Sequence, residues 1–378
     1  MDRRKNFADT LSHRKPQQII LDFGGNPLSS MEGASEKNLL EYLGYSTALY
    51  DDSPLLFGKV RRIDERILEH YNVDTRSIGG ILNPVNSQFK FIQDGLYKDE
   101  WGITRKLMGD YWEIVDYPLK NSTLEDLKSY QFPNAQSIDM DKIAEWKNRA
   151  EYLYEKTEYI ICAEHPVYGV FELLCWLCGF EDALIKMALE PEYIHYLFSK
   201  ILEYQKEVIE IYYKELGPYI HYTSSGDDFA TQNAPFMSPD MFNEFIAPYL
   251  KERIRYTKTF TNAKYLHHSC GSVFTLIDAL IDCGVDILNP IQPKAKGMSC
   301  ENLKNNFGEK IVFHGGIDTQ ELLPFCTAEV IDSEVKRIIS VMGENGGYIV
   351  AAAHNIQHDV SPEKLDAMLN AVNKYREI

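Results

Sequence analysis

Short apolar runs that stop abruptly at polar or charged residues recur along the chain, separated by longer stretches with apolar residues every three or four positions. Eight candidate strands, six of them runs of this kind, are "QQIILDFGG", "TRSIGGIL", "EYIICAEH", "YIHYTSS", "AKYLHHSC", "VDILNPIQ", "KIVFHGGID" and "GYIVAAAHN". Buried strands alternating with helices predict a parallel α/β fold. Eight such units predict a (β/α)8 barrel, with a doubly wound sheet as the alternative. Between Pro191 and Leu216, the residues Ile194, Leu197, Ile201, Tyr204, Val208 and Ile211 form one buried helical stripe. Ser238-Pro239-Asp240 and Ser361-Pro362-Glu363 both read as helix starts, with a capping hydroxyl, a proline at the first position and an acid in the first turn. Residues 95–118 break the alternation, and their mixed aromatic and polar pattern predicts a β-hairpin insertion near the barrel mouth. Its Trp101, Tyr111 and Trp112 either line a pocket or form a small local core. No linker interrupts the pattern, so residues 1–378 are expected to form a single domain.

Composition narrows the partners. At 44% apolar and 25% charged residues, the chain has the makeup of a globular enzyme. A net charge of −17 argues against a nucleic-acid surface, which needs clustered lysine and arginine. No run approaches the roughly 18 apolar residues of a membrane span, and the basic N-terminus lacks the apolar stretch of a secretory signal. A cytoplasmic protein with free thiols is expected, because seven cysteines without a signal fit a disulfide framework poorly.

In a parallel barrel, chemistry gathers at the C-terminal ends of the strands. Those ends hold Glu164 and His165, Asp227 and Asp228, His268 and Cys270, Asn289 and Gln292, His314 and Asp318, and His354, Asn355 and Gln357. Five of the ten histidines (165, 267, 268, 314 and 354) sit there. His268-x-Cys270 offers an imidazole and a thiolate to one Zn²⁺, and Gly271 permits the sharp turn beyond them. A catalytic zinc takes a third protein ligand and keeps one position open. His354 is the first choice, with Glu164, His165, Asp227, Asp228 and His314 as competitors. His267 is expected to face away, since strand residues alternate. Asp227 and Asp228 are candidates to orient substrate or act as a base, with a solvated loop or helix cap as the other reading. Glu164, Asn289, Gln292, His314 and Asn355 are the candidates for substrate contacts. The "CWLC" stretch at 175–178 lies in an apolar helical run and reads as core thiols.

"YLHHSCGSVFTLIDALIDCGVDILNPIQPKAKGM", "LKNNFGEKIVFHGGIDTQELLP" and "GGYIVAAAHNIQHDVSPEKLDAM" resemble the uroporphyrinogen decarboxylase superfamily, and within it the corrinoid-dependent methyltransferase branch, which includes methylcobamide:coenzyme M methyltransferases. "GDDFATQNAPFMSPDMF" and "RKNFADTLSHRKPQQIILDFGG" extend the similarity over nearly the whole chain. The resemblance implies a TIM barrel, zinc at His268 and Cys270, and a corrinoid (cobalamin) methyl carrier on a separate protein. The partners it implies are that corrinoid protein and a small-molecule methyl donor or acceptor, with a homodimer as one possible assembly. True decarboxylases carry a basic Arg-Gln-Ala-Gly-Arg-Tyr segment for their polycarboxylate substrate. The corresponding "LDFGGNPLSSMEG" has no arginine, which disfavours decarboxylation. Thiol-methylating members complete the zinc site with a second cysteine, where this chain has His354. Fewer thiolates leave more positive charge on the metal, which suits a methyl ether, amine or similar leaving group.

Overall fold

The computed structural model describes residues 2–48, 50, 62–79, 86–109 and 111–377. Twelve strands follow in chain order: β1 Ile20–Leu21, β2 Thr75–Ile78, β3 Lys90–Gln93, β4 Leu96–Lys98, β5 Thr104–Met108, β6 Tyr111–Asp116, β7 Ile160–Glu164, β8 Tyr222–Gly226, β9 Lys264–His268, β10 Ile287–Ile291, β11 Val312–Ile317 and β12 Tyr348–Ala352. Eight of them form one parallel sheet in the order β1-β12-β11-β10-β9-β8-β7-β2. This is the expected (β/α)8 barrel, and every one of the eight candidate strands contributes to it. Ile81 and Leu82, at the end of the second run, lie outside the described residues.

The seam between β1 and β2 is bridged by Asp74. Its backbone N–H donates to the Leu21 carbonyl (3.1 Å), and its carboxylate accepts from the Leu21 N–H (2.9 Å). The same carboxylate pairs with the guanidinium groups of Arg376 (2.8 Å) and Arg3 (2.9 Å), so both ends of the chain are tied to the seam.

The barrel interior has two layers. Phe7, Ile20, Ile160, Cys162, Tyr222, Leu266, Ile287, Val312 and Ile349 pack into an apolar floor, to which seven of the eight barrel strands contribute. Strand side chains alternate, so the residues two positions further on face the same interior. Those residues are Asp22, Glu164, Ser224, His268, Asn289, His314 and Ala351. Six of the seven are polar, and they lie at the C-terminal end of the barrel. A second, larger apolar cluster fills the space between the strands and the surrounding helices. His267 belongs to that outer side, stacked on Phe229 with ring centroids 5.4 Å apart.

The insertion is larger than the hairpin expected from residues 95–118. It is a four-stranded antiparallel meander, β3-β4-β5-β6, that begins at Lys90. Trp101 is buried against Tyr204 (ring centroids 5.2 Å), and Trp112 packs on Tyr97 (4.8 Å), so both serve local cores. The Tyr111 side chain lies outside the described part. Ser238 caps its helix by accepting from the Met241 N–H (3.2 Å), whereas Ser361 makes no such side-chain cap. Among the described residues, no helix is long and apolar enough to cross a membrane.

At the opposite end of the barrel, His221 ties β8 to β7 by accepting the Ile161 N–H on its Nδ1 (3.0 Å). Burial, and then the nearby Arg4 charge, lower its pKa from 6.5 to about 4. The unfolded chain therefore takes up this proton first, and stability present above pH 6.5 is lost as the pH falls toward 4. We expect this group alone to reduce stability by about 2 kcal/mol between pH 7 and pH 5. Denaturant unfolding at the two pH values measures it. A His221→Gln variant, which keeps an acceptor but cannot titrate, should lose correspondingly less, and equal losses in the two proteins would refute the assignment.

Candidate metal centre at the barrel mouth

The strand β9 ends at His268, and the chain then turns through Ser269 and Cys270 into Gly271. Gly271 has φ +84°, and a Cβ there would lie 2.4 Å from the Thr231 carbonyl oxygen, so the turn admits only glycine. This turn folds the Cys270 thiol back over its own strand, placing Sγ 3.3 Å from His268 Nε2. His354, two residues past β12, comes in from across the barrel. Its ring centroid is 5.6 Å from that of His268, at an interplanar angle of 67°. One ligand atom from each of His268, Cys270 and His354 lies within 4.8 Å of the other two.

The donor set fits a zinc ion. Tetrahedral zinc with bonds of about 2.0–2.3 Å holds its ligand atoms roughly 3.3–3.8 Å apart, and one sulfur with two imidazole nitrogens suits its borderline softness. The electrostatics agree. Burial, followed by the His268 charge, sets the His354 pKa down to about 4 against the opposing pull of Asp228, and burial likewise lowers that of His268. Both rings are therefore neutral donors near pH 7. Burial and then the Asp228 and Glu172 charges push the Cys270 thiol well up. A divalent cation reverses that preference, because a coordinating thiol is deprotonated by the ion's own charge.

The two adjacent aspartates do different things. Asp227 is 2% exposed, and its carboxylate accepts from the backbone N–H groups of Phe171 (3.1 Å) and Glu172 (2.8 Å). It thereby caps the helix Val170–Cys178, whose first flanking residue, Gly169, has no side chain to do so. A Cβ on Gly169 would fall 2.1 Å from the Asp227 carboxyl carbon, so glycine is what admits this cap. Of the pair expected to handle substrate, Asp227 is thus committed to the helix, and burial raises its pKa to about 7. Asp228 reaches solvent with 40% of its side chain exposed. Its Oδ1 accepts from the Cys270 N–H (2.8 Å) and lies 3.7 Å from His268 Nε2.

The residues expected to contact substrate also take other places. His314 is fully buried with both ring nitrogens engaged, by Asp22 (2.6 Å) and Asn289 (2.6 Å). Asn289 is 1% exposed and bonds His268 Nδ1 (2.5 Å) through Oδ1. Both side chains are buried, with their polar atoms bonded to each other and to their neighbours. Gln292 accepts from the Gly271 N–H (2.7 Å) and turns its amide toward Cys270 Sγ (3.7 Å), bracing the ligand loop. Asn355, with its amide set to satisfy its neighbours, donates to the carbonyls of Pro27 and Leu28 (3.2 Å) and anchors the first loop. Glu164 is buried at the end of β7, and His165 is buried with Nδ1 against the Tyr213 hydroxyl (2.7 Å). All seven cysteines are free, and Cys178 packs against Tyr193 as a core thiol.

Two residues not singled out in the sequence belong to the site. Asp22, just past β1, ends the buried chain through His314. Glu172, the one carboxylate in the apolar "VFELLCWLC", is held well above the usual carboxylate range by burial and then by the Asp228 and Asp227 charges. A lone acid in an apolar helix start was its only sequence signal.

Residues 122–375 match the family described as uroporphyrinogen decarboxylase (URO-D). Among curated proteins, the uroporphyrinogen decarboxylase of Pseudoalteromonas atlantica is 33% identical over 75 residues, covering 20% of this chain and 21% of that protein. That of Chlorobium phaeobacteroides is 24% identical over 194 residues, covering 50% and 51%. The aligned stretches thus span between a fifth and about half of the length of these relatives. Among solved structures, a methyltransferase from Methanosarcina mazei superposes with a TM-score of 0.68 at 14% identity, covering 99% of both chains. That likeness is one of fold.

Proposed function

The chain belongs to the uroporphyrinogen decarboxylase family, and from that premise we propose that it is a zinc-dependent methyltransferase. It moves a methyl group between a small methyl ether, amine or thiol and a corrinoid carried by a separate protein. The observation that carries this reading is the convergence of His268, Cys270 and His354 at the barrel mouth. These three residues would hold zinc and leave a fourth position for substrate. When bound, the ion supplies Lewis acidity that stabilises negative charge on the heteroatom of a methyl donor, or keeps an acceptor thiol ionised at neutral pH.

The remaining steps fall to the chain's own groups. Asp228, exposed beside the ligand pair, orients the substrate. In the donor direction a corrinoid presented at the mouth would supply the nucleophile that accepts the methyl group, and the heteroatom would leave with the electron pair of its broken bond to carbon. Glu172, whose carboxyl burial and the Asp228 and Asp227 charges hold well above the usual carboxylate range, gives it a proton. The apolar floor below the polar layer keeps water from entering beneath the site. The corrinoid protein docks over the mouth.

A second reading, decarboxylation without metal, is favoured by the names of the curated relatives. The arginine-free "LDFGGNPLSSMEG" weighs against it. To separate the two, zinc-loaded protein is incubated with cob(I)alamin and panels of methyl ethers, amines and thioethers, and the corrinoid spectrum is followed. The reverse direction uses methylated corrinoid and a thiol panel. Substrate-dependent methylation or demethylation of the corrinoid is expected. Silence in both panels with a competent corrinoid protein present, together with carbon dioxide release from a carboxylated substrate by metal-free enzyme, would replace our reading with the second.

A further inference from the structure

We infer that Asp22, His314 and Asn289 form a one-way hydrogen-bond chain that holds His268 with its proton on Nδ1 and its Nε2 lone pair turned toward Cys270. The inference rests on the reading of His268 as a metal ligand, and it makes Asp22, His314 and Asn289 positioning residues for that ligand.

Donor directions follow from the Asp22 end. Its carboxylate is buried and surrounded by groups that can all donate: Gly25 N–H (2.7 Å), Thr75 Oγ1 (2.5 Å), Ser29 Oγ (3.0 Å), Asn26 Nδ2 (3.2 Å), Tyr222 hydroxyl (3.3 Å) and His314 Nε2 (2.6 Å). A carboxylate among donors alone is ionised and takes the His314 proton bond on Nε2. Asn289 turns its Nδ2 toward His314 Nδ1 (2.6 Å), so this ring nitrogen accepts an N–H and carries no proton of its own. That fixes the Asn289 oxygen on the other side, where it accepts from His268 Nδ1 (2.5 Å). His268 Nε2 is left without a proton, 3.3 Å from the Cys270 sulfur. One amide thus converts the position of a carboxylate into the tautomer of a histidine three hydrogen bonds away along the network.

The fold makes this chain possible in two ways. Asn289 and His268 are direct register partners on β10 and β9. Asp22 reaches His314 across the intervening β12, whose Val350 is the register partner of Leu21, the residue before Asp22, and whose Ile349 is that of His314. A ligand histidine whose second nitrogen donates toward a carboxylate is held in one tautomer and orientation, and loss of such a partner typically weakens metal binding by about 10- to 100-fold.

The test joins two measurements. Zinc affinity by chelator competition, and the visible spectrum of the cobalt(II)-substituted protein, are compared for wild type, Asp22→Asn, Asn289→Leu and Asn289→Asp. Asp22→Asn and Asn289→Leu should bind zinc about 10- to 100-fold more weakly and shift the cobalt bands. Asn289→Asp, which keeps an acceptor on His268, should restore affinity to within about threefold of wild type. Nitrogen-15 NMR of histidine-labelled, metal-free wild type needs no variant to fold, and should find His268 protonated on Nδ1 and His314 on Nε2. A proton on His268 Nε2, or variants with wild-type affinity and cobalt spectrum, would overturn the inference while leaving the metal site standing. A wild-type protein that binds no zinc would overturn both.

Discussion

Replacing Cys270 with alanine should abolish zinc binding at ordinary chelator concentrations while leaving the barrel folded. Cys270 is the single anionic ligand in the cluster, and it sits on a loop whose backbone is already fixed by Asp228, Gln292 and the Gly271 turn. Total zinc affinities for small protein sites are roughly 10–16 kcal/mol, so removing one of three ligands should cost on the order of 1,000-fold in affinity. Methyl transfer should fall at least as far, because the two remaining imidazoles cannot retain the ion against dialysis. Metal analysis of dialysed protein measures the effect directly: about one zinc per chain in wild type and none in Cys270→Ala. Thermal melts of the two metal-free proteins should nearly coincide, since the alanine removes one partly exposed sulfur from a loop. A Cys270→Ala protein that keeps a full complement of zinc would remove the basis of the proposed function.

The second large effect is on stability. Asp74→Ala should destabilise the protein by about 3–5 kcal/mol, because it leaves the fully buried Arg376 guanidinium without its counter-charge. The same substitution deletes the acceptor for the Leu21 N–H at the β1/β2 seam. The comparison is an exposed pair between the last two helices, Lys374 with Asp332, where Lys374→Ala should cost no more than about 0.5 kcal/mol. Denaturant titrations of the three proteins test both numbers. An Asp74→Ala loss below about 1 kcal/mol would mean that the seam is held by something other than this buried pair.

The barrel is legible in the sequence because most of its strands open on an apolar run and end abruptly in polar residues. A short run such as "KIVFHGGID" can be little else. The convergence of His268, Cys270 and His354 is legible only in part: an imidazole and a thiol two residues apart suggest a metal, but nothing local says that the end of β12 crosses to meet them. His314 and Asn289 end strands, and they stand buried in the same interior layer as His268. Asp22 occupies that same layer and escaped notice, since "LDFGG" reads as the start of a loop. The alternation Ile20/Asp22, Leu266/His268, Ile287/Asn289 and Val312/His314 is a period-two signal. It becomes readable once the floor residues are known to point inward. Asp227 illustrates the opposite problem: its partner is the backbone of a helix more than fifty residues earlier, which no local pattern encodes.

The pairing of Asn289 with His268 also governs which length changes this chain can accept over evolutionary time. Deleting one residue from β10 ahead of Asn289 would turn its side chain to the opposite face of the sheet and bring an apolar neighbour inward, cutting the buried chain at its middle. The loops beyond the strand ends are under no such parity rule. Descendants of this gene can therefore lengthen or exchange the segments that greet the substrate, while insertions and deletions inside the inner strands are weeded out.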